Sequence, residues 1–371
     1  MRRFALCQQR LRGALAVVPR RCERGRAPAH LTDAISSVTK GEPRMTSSAS
    51  RFDAMGPYRT REASFRVALA AGALPHVFEA FLPEGVAHPL PFVVFSHGFG
   101  GHRRQSTFLL RHLASHGYAV VAPDHLGPGM PAMMALAMAA KARGEQVRPG
   151  LFFGELPRTR PVELLAMLAP VRAHLRDSLG VCLRDAEAAV VGHSFGAFTG
   201  LVAAARSAEI RAVVALAPAG VQGPVFVPAF AEELDLPALA RVAVLVVAAE
   251  RDTLVPLAGV EELVAQLSGP HRLLVLESAD HVHFCDQVSQ AHGFLAAITS
   301  MPDVAGALGT TLPYASLLPE AKAHRAICAA VTAHLHGAFH GDAEAGAFLK
   351  ACSDDPAIPL RSQRRGSFPT P

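Results

Sequence analysis

The sequence lacks any run of about 18 uninterrupted apolar residues, which excludes a membrane-spanning helix. Cysteine is scarce: Cys7, Cys22, Cys182, Cys285, Cys328 and Cys352 lie scattered, with no CxxC pair. That spacing offers neither a disulfide framework nor a zinc site, and free thiols fit a reducing, cytoplasmic setting. No internal repeat is present, which argues against a solenoid. Charge is also uneven. The net +5 comes from residues 1–50, where nine Arg and one Lys face Glu23, Asp33 and Glu42, so the remaining 321 residues sum to −2. A nucleic-acid binder would carry positive charge on its folded surface, so nucleic acid is not an expected partner. What is present is a globular composition, 50% hydrophobic and 18% charged over 371 residues. It is too apolar for a disordered chain and long enough for one large α/β domain with extensions, or two small ones.

Residues 1–55 read as a basic arm outside the folded domain. The apolar stretch Ala14-Leu15-Ala16-Val17-Val18 is shorter than the about 7–15 residues of a secretory h-region. Arg2-Arg3 hints at twin-arginine export, and the Arg-rich, acid-poor start resembles an organellar transit peptide. Met45 as the true first residue is favoured over a targeting segment or a disordered arm. The tail 353–371, rich in Pro, Ser and Arg, is expected to be loose.

Between 60 and 352, strand-like and helix-like segments alternate. Phe65 to Ala70 and His76 to Leu82 predict a hairpin. Phe92 to Phe95, Tyr118 to Ala122, Ala188 to Val191, Val213 to Leu216, Val242 to Ala248 and Leu273 to Leu276 predict further strands. Helices are expected over about 103–116, 160–179 (Pro161 in its first turn), 195–206, 257–268, 319–336 and 342–352. This order predicts a mostly parallel sheet with helices on both faces. The apolar runs lack clean alternation, as strands buried on both sides do. Two insertions, 126–159 and 285–318, are long for connections in a compact domain. The first carries Met130, Met133, Met134 and Met138 in a helical pattern and is expected to form an apolar helical cap.

Gly192-His193-Ser194-Phe195-Gly196 follows an apolar strand and precedes a small-residue helix. A G-x-S-x-G turn in that context lifts a serine hydroxyl above the sheet edge, and Ser194 is the expected nucleophile. A serine needs a base. His281 and His283 both follow the last predicted strand, with His281 favoured, whereas His193 reads as structural. A base needs a carboxylate to hold its tautomer, and Asp252, at the end of the strand Val242 to Ala248, is the expected acid. Glu250, Asp280 and Asp286 are alternatives, the last two too close to His281 in sequence to bridge from another strand. Oxyanion donors are expected from the N–H groups of Phe195, directly after the nucleophile, and of Phe99 in the turn His97-Gly98-Phe99-Gly100-Gly101. His112 and His116 stand four apart on a helix, but no HExxH accompanies them; they read as surface histidines, and no metal or cofactor is expected.

These residues resemble the α/β-hydrolase superfamily, whose chain order of nucleophile, acid and base is that of Ser194, Asp252 and His281. Within it, the blocks Phe95-Ser96-His97-Gly98-Phe99-Gly100, Leu113-Ala114-Ser115-His116-Gly117-Tyr118 to Asp124-His125, Arg160-Pro161-Val162-Glu163 and His281-Val282-His283-Phe284-Cys285-Asp286 resemble the platelet-activating-factor acetylhydrolase and predicted dienelactone hydrolase group. The resemblance implies an α/β-hydrolase fold over roughly 60–350 and His281, the first histidine of its block, as the base. Two departures stand out. The acetylhydrolases place their acid after the strand following the elbow helix, where this chain reads Leu216-Ala217-Pro218-Ala219-Gly220. Dienelactone hydrolases use a cysteine nucleophile, where this chain has Ser194.

The expected activity is serine hydrolysis of small-molecule carboxylic esters bearing an apolar group. An acyltransferase or amidase with the same triad is the alternative, and a non-catalytic ligand-binding protein on this fold is a third reading.

Overall fold

The computed structural model describes residues 49–362, apart from 71, 128–129, 146–148, 220–221, 301–309, 353–354 and 356–357. Residues 1–48, and with them Arg2-Arg3 and Met45, lie outside the described residues, as do 363–371. Its strands are β1 (Thr60–Val67), β2 (His76–Pro83), β3 (Leu90–Ser96), β4 (Ala119–Pro123), β5 (Leu183–His193), β6 (Ile210–Leu216), β7 (Ala243–Ala249), β8 (His271–Leu276) and β9 (Leu360–Ser362). They form one sheet in the order β1-β2-β4-β3-β5-β6-β7-β8-β9. The six strands from β4 to β8 run parallel. The hairpin β1-β2 joins β4 antiparallel, and β9 joins β8 antiparallel.

The helices are α1 (Ala49–Asp53), α2 (Thr107–Ser115), α3 (Met130–Ala142), α4 (Pro149–Phe153), α5 (Leu156–Asp177), α6 (Phe195–Arg206), α7 (Pro228–Glu233), α8 (Leu257–Ala265), α9 (Val288–Thr299), α10 (Glu320–His340) and α11 (Ala343–Ala351). The reason for the unbroken apolar runs is visible in β3, where all seven residues from Leu90 to Ser96 are buried. Alternate residues enter two separate cores. Val93, Phe95, Val191, Val214 and Val247 pack with α2, α10 and α11 on one face. Phe92, Val94, Val190, Val213 and Val246 pack with α5, α6 and α8 on the other. A strand covered on both faces has no polar side to show, so period-2 alternation vanishes. At the edge, β1 does alternate, with Arg and Glu on its exposed positions, as an unpaired edge requires.

Several expectations are corrected. The arm was expected to run to 55, but Ala49–Asp53 is helical, and Phe52 is buried against Phe348 with ring centroids 5.3 Å apart. The tail is not loose throughout, because Leu360–Ser362 forms β9 on the β8 edge. Pro161 is not in the first turn of its helix. The helix α5 starts four residues earlier than expected, with Pro157 in its first turn and Pro161 inside it. His112 is not a surface residue: it is 3% exposed, and its Nε2 donates to the Phe52 carbonyl at 2.9 Å.

Candidate active site

The parallel strands all end on one side of the sheet, and their C-terminal ends bring the predicted residues together. In-register pairing sets Ser96 of β3 beside Gly192 of β5, and Gly192 beside Ala215 of β6. Just past β5, Ser194 has φ 56° and ψ −120°, a conformation that L-residues adopt only when the surroundings enforce it. The surroundings here are tight. A Cβ on Gly196 would lie 1.9 Å from the Ser96 carbonyl oxygen, and one on Gly192 would lie 2.3 Å from the Gly196 carbonyl oxygen. Only glycine lets β3, β5 and the start of α6 approach this closely. The Ser194 N–H is held by the Leu216 carbonyl at 2.8 Å.

Asp252 follows β7 and His281 follows β8. His281 Nδ1 donates to Asp252 Oδ2 at 2.7 Å, and both side chains are buried. The other oxygen, Oδ1, accepts the N–H groups of Leu254 (2.9 Å) and Val255 (2.8 Å), which lock the carboxylate in orientation. Burial opposes a charge on His281, yet the Asp252 charge and hydrogen bond outweigh it and raise the imidazole above its ordinary 6.5.

The alternatives are engaged elsewhere. His283 uses both ring nitrogens, one on Asp280 (2.7 Å) and one on the Leu318 carbonyl (2.9 Å). Asp280 also holds His292 and the Val282 N–H. Asp286 accepts the N–H groups of Thr107 (3.0 Å) and Phe108 (3.1 Å) at the start of α2. Glu250 accepts the Ser278 N–H at 3.0 Å.

Among the described residues, Ser194 Oγ and His281 Nε2 share no hydrogen bond; the link between the Ser194 turn and His281 runs through His193. Its ring lies 4.7 Å from that of His281, and its Nε2 donates to the His281 carbonyl at 3.0 Å. Its Nδ1 therefore accepts, from Gln105 Nε2 at 2.9 Å. Burial, then the charge of His281, holds His193 well below 6.5 and so neutral. Gln105 Oε1 accepts the Gly98 N–H at 3.1 Å. One amide thus ties the elbow to the turn that carries Phe99. That turn is closed by Gly101 N–H on the Gly98 carbonyl (3.1 Å), and a Cβ on Gly98 would lie 3.5 Å from Ser194 Cβ. The Phe195 N–H stands in the first turn of α6, where a helix has no internal acceptor. Phe195 thus follows the serine directly, and Gly98, next to Phe99, closely approaches it.

Behind the turn lies a buried polar network. His97 Nε2 accepts the His125 N–H at 3.2 Å, so Nδ1 carries the proton and donates to the Gly98 carbonyl at 2.8 Å. Burial and then the Arg160 charge push His97 down to about 3. Arg160 Nη2 donates to the His97 carbonyl at 2.9 Å. Ser96 Oγ donates to His125 Nε2 (2.9 Å), whose Nδ1 donates to Glu163 (3.2 Å). Burial raises the Glu163 carboxyl to about 7. Gln105 was not singled out in the sequence, and Arg160 and Glu163 were marked only through the resemblance.

A family model described as the alpha/beta hydrolase family matches residues 93–369. The chain belongs to the alpha/beta hydrolase family. Among curated proteins, none matches it. The fold of this hydrolase, a mostly parallel sheet covered on both faces, is that expected from the sequence. No described helix is long and apolar enough to cross a membrane. Among the described residues, no three His, Cys, Asp or Glu side chains are placed to hold a metal.

The hydrolase builds an aromatic wall beside the serine. Phe99 and Phe195 lie 4.5 and 5.2 Å from Phe153, which in turn lies 5.1 Å from Phe230. The wall joins α4, α6 and α7, so the 126–159 insertion does reach the site. It does so through Phe153 and Leu156 of this hydrolase and not through Met138, which is 66% exposed. The side chains of Met130, Met133 and Met134 lie outside the described residues.

Proposed function

We propose that this hydrolase cleaves small carboxylic esters with an apolar group, through an acyl-enzyme on Ser194. The observation that carries the reading is the 2.7 Å contact from His281 Nδ1 to buried Asp252, on the same strand-end surface as a serine held at φ 56°. Asp252 holds the tautomer that leaves His281 Nε2 as the proton acceptor. Ser194 Oγ attacks the ester carbonyl and gives its proton to Nε2. The N–H groups of Phe99 and Phe195 hold the oxyanion. His281 then protonates the leaving alcohol, and a water, deprotonated by the same nitrogen, releases the acid. The partly exposed Phe99 ring, backed by buried Phe153, Phe195 and Phe230, supports an apolar acyl or alkyl group.

Hydrolysis of nitrophenyl esters from short to long acyl chains, by wild type and Ser194→Ala, tests this. Wild type is expected to turn over, and the variant to lose on the order of 10⁶-fold in kcat. Full activity in Ser194→Ala refutes the nucleophile. A preference for an added alcohol or amine over water redirects the reading to acyl transfer.

A further inference from the structure

Arg160 is buried, 3% exposed, in the second turn of α5. Among the described residues no carboxylate forms an ion pair with it, and its Nε is buried without a partner. Glu163, one turn along, acts on it only at longer range and is itself bonded to His125. A buried cation without a contact counterion is costly, and a simple tether for a carbonyl would not need one. The charge therefore has to be explained by its position. The guanidinium touches the His97 backbone before the serine and the Phe195 side chain after it. Nη2 donates to the carbonyl of His97, two residues before Phe99. Its carbon sits 4.9 Å from the centre of the Phe195 ring. Phe99 and Phe195 are the two residues assigned above to the oxyanion hole.

We propose that Arg160 is a positioning residue for the oxyanion hole, clamping the His97 carbonyl and the Phe195 ring so that the two donor peptides keep one separation. The inference rests on the esterase reading of Ser194. The guanidinium suits the task because it is planar, donates in fixed directions and stacks on an aromatic face, none of which lysine reproduces. Its unneutralised charge also lies on the side of the cleft where negative charge develops, in surroundings with little water to screen it.

The test compares wild type, Arg160→Lys and Arg160→Met as full chains. Five quantities are read: kcat and KM on a nitrophenyl ester, reactive sites titrated with a fluorophosphonate, inhibition by benzeneboronic acid, and the melting temperature. Boronate reads the hole directly, because it becomes a tetrahedral anion on the serine. Arg160→Met is expected to lose about 10²-fold in kcat per titrated site, with KM within about twofold and boronate weakened in parallel. Arg160→Lys is expected to lose about tenfold, since a point charge cannot both bond the carbonyl and cover the ring. Wild-type kcat per titrated site, whatever happens to the melting temperature, overturns the proposal and leaves Arg160 a packing residue. A rise in KM alone also overturns it. If Arg160→Met does not fold, Arg160→Lys decides, and wild-type kcat and boronate inhibition there overturn it. Should wild type itself neither hydrolyse esters nor take up fluorophosphonate, the esterase reading has failed and Arg160 falls with it.

Discussion

Replacing Asp252 by Asn should disable the base without emptying its site. The carboxylate makes three hydrogen bonds: Oδ1 accepts from Leu254 N–H (2.9 Å) and Val255 N–H (2.8 Å), and Oδ2 accepts from His281 Nδ1 (2.7 Å). An asparagine keeps its oxygen where the two backbone donors require an acceptor. Its NH₂ then points at His281 Nδ1, which must accept instead of donate. The imidazole proton moves to Nε2, the nitrogen that has to receive the Ser194 proton. The same tautomer reversal in the serine-protease triad lowers kcat about 10⁴-fold, and a loss of that order is expected here. The pH profile should change as well. His281 must be neutral to act, and Asp252 holds it above 6.5, so the acid limb of wild-type kcat/KM lies above that value. Without the carboxylate, burial is opposed only by the smaller effect of the Asp280 charge, and the residual activity should show an acid limb displaced downward. Stability follows the opposite edge of the same titration. A group whose pKa folding raises stabilises the fold fully below its unfolded value, 6.5, and loses that contribution as pH rises through the folded value. The melting-temperature gap between wild type and Asp252→Asn should therefore be wider near pH 6 than near about pH 9. Activity within tenfold of wild type and an unmoved acid limb would show that His281 does not rely on Asp252.

Two further substitutions probe the frame around the site. Gly196→Ala would put a methyl 1.9 Å from the Ser96 carbonyl oxygen and 2.6 Å from that of His97, both backbone, so β3 and α6 must part. A loss of about 1–3 kcal/mol or more in denaturant unfolding, with esterase activity lost even in the folded fraction, is expected; an active, stable variant refutes the close approach. Phe52→Ala removes a ring that is 1% exposed and packed on Phe348. Unfolding should become easier by about 3–5 kcal/mol, whereas an unchanged midpoint would mean that Ala49–Asp53 does not dock.

The sequence made the central strands legible because burial on both faces writes one signal, an unbroken run of Val, Leu and Ala. Leu360–Ser362 wrote no such signal. Three residues flanked by proline can be a strand only because the β8 edge is open beside them. Ser194, Asp252 and His281 could be picked out one by one, because each follows a strand whose end was predictable. Gln105 and Arg160 could not be read in that way. Gln105 acts on His193, 88 residues away, and Arg160 on His97, 63 away. Nothing local distinguishes a glutamine that bridges two loops from one that faces water, and only the placement of both loops by the sheet does so. The Met-rich insertion was legible only in part, for a related reason. Composition marks a helix as apolar but does not say which of its residues turns inward, and Phe153, not Met138, is buried.

Among the described residues several buried histidines pair with carboxylates, and comparing those of His125, His283 and His281 shows why the proposed chemistry falls to the last. His125 is bonded to Glu163 through Nδ1, and its Nε2 accepts the hydroxyl of Ser96, giving a Ser–His–Glu chain with the connectivity of a triad. Ser96, however, is fully buried, and no substrate can reach it. His283 is bonded to Asp280, and its Nε2 is taken by the Leu318 carbonyl. His281 has the same kind of carboxylate contact at 2.7 Å, but among the described residues nothing bonds its Nε2. A general base needs an orienting partner on one nitrogen and an open acceptor on the other. His125 and His283 satisfy both ring nitrogens within the fold, which makes them fasteners for the end of β3 and for the loop that carries His281. His281 leaves one nitrogen unused, on the same sheet end as a serine that is only half-buried and bonded through its backbone alone. The proposed assignment therefore rests less on the presence of a histidine–acid pair, which this chain has several times over, than on the ring nitrogen that His281, unlike His125 and His283, leaves unfilled.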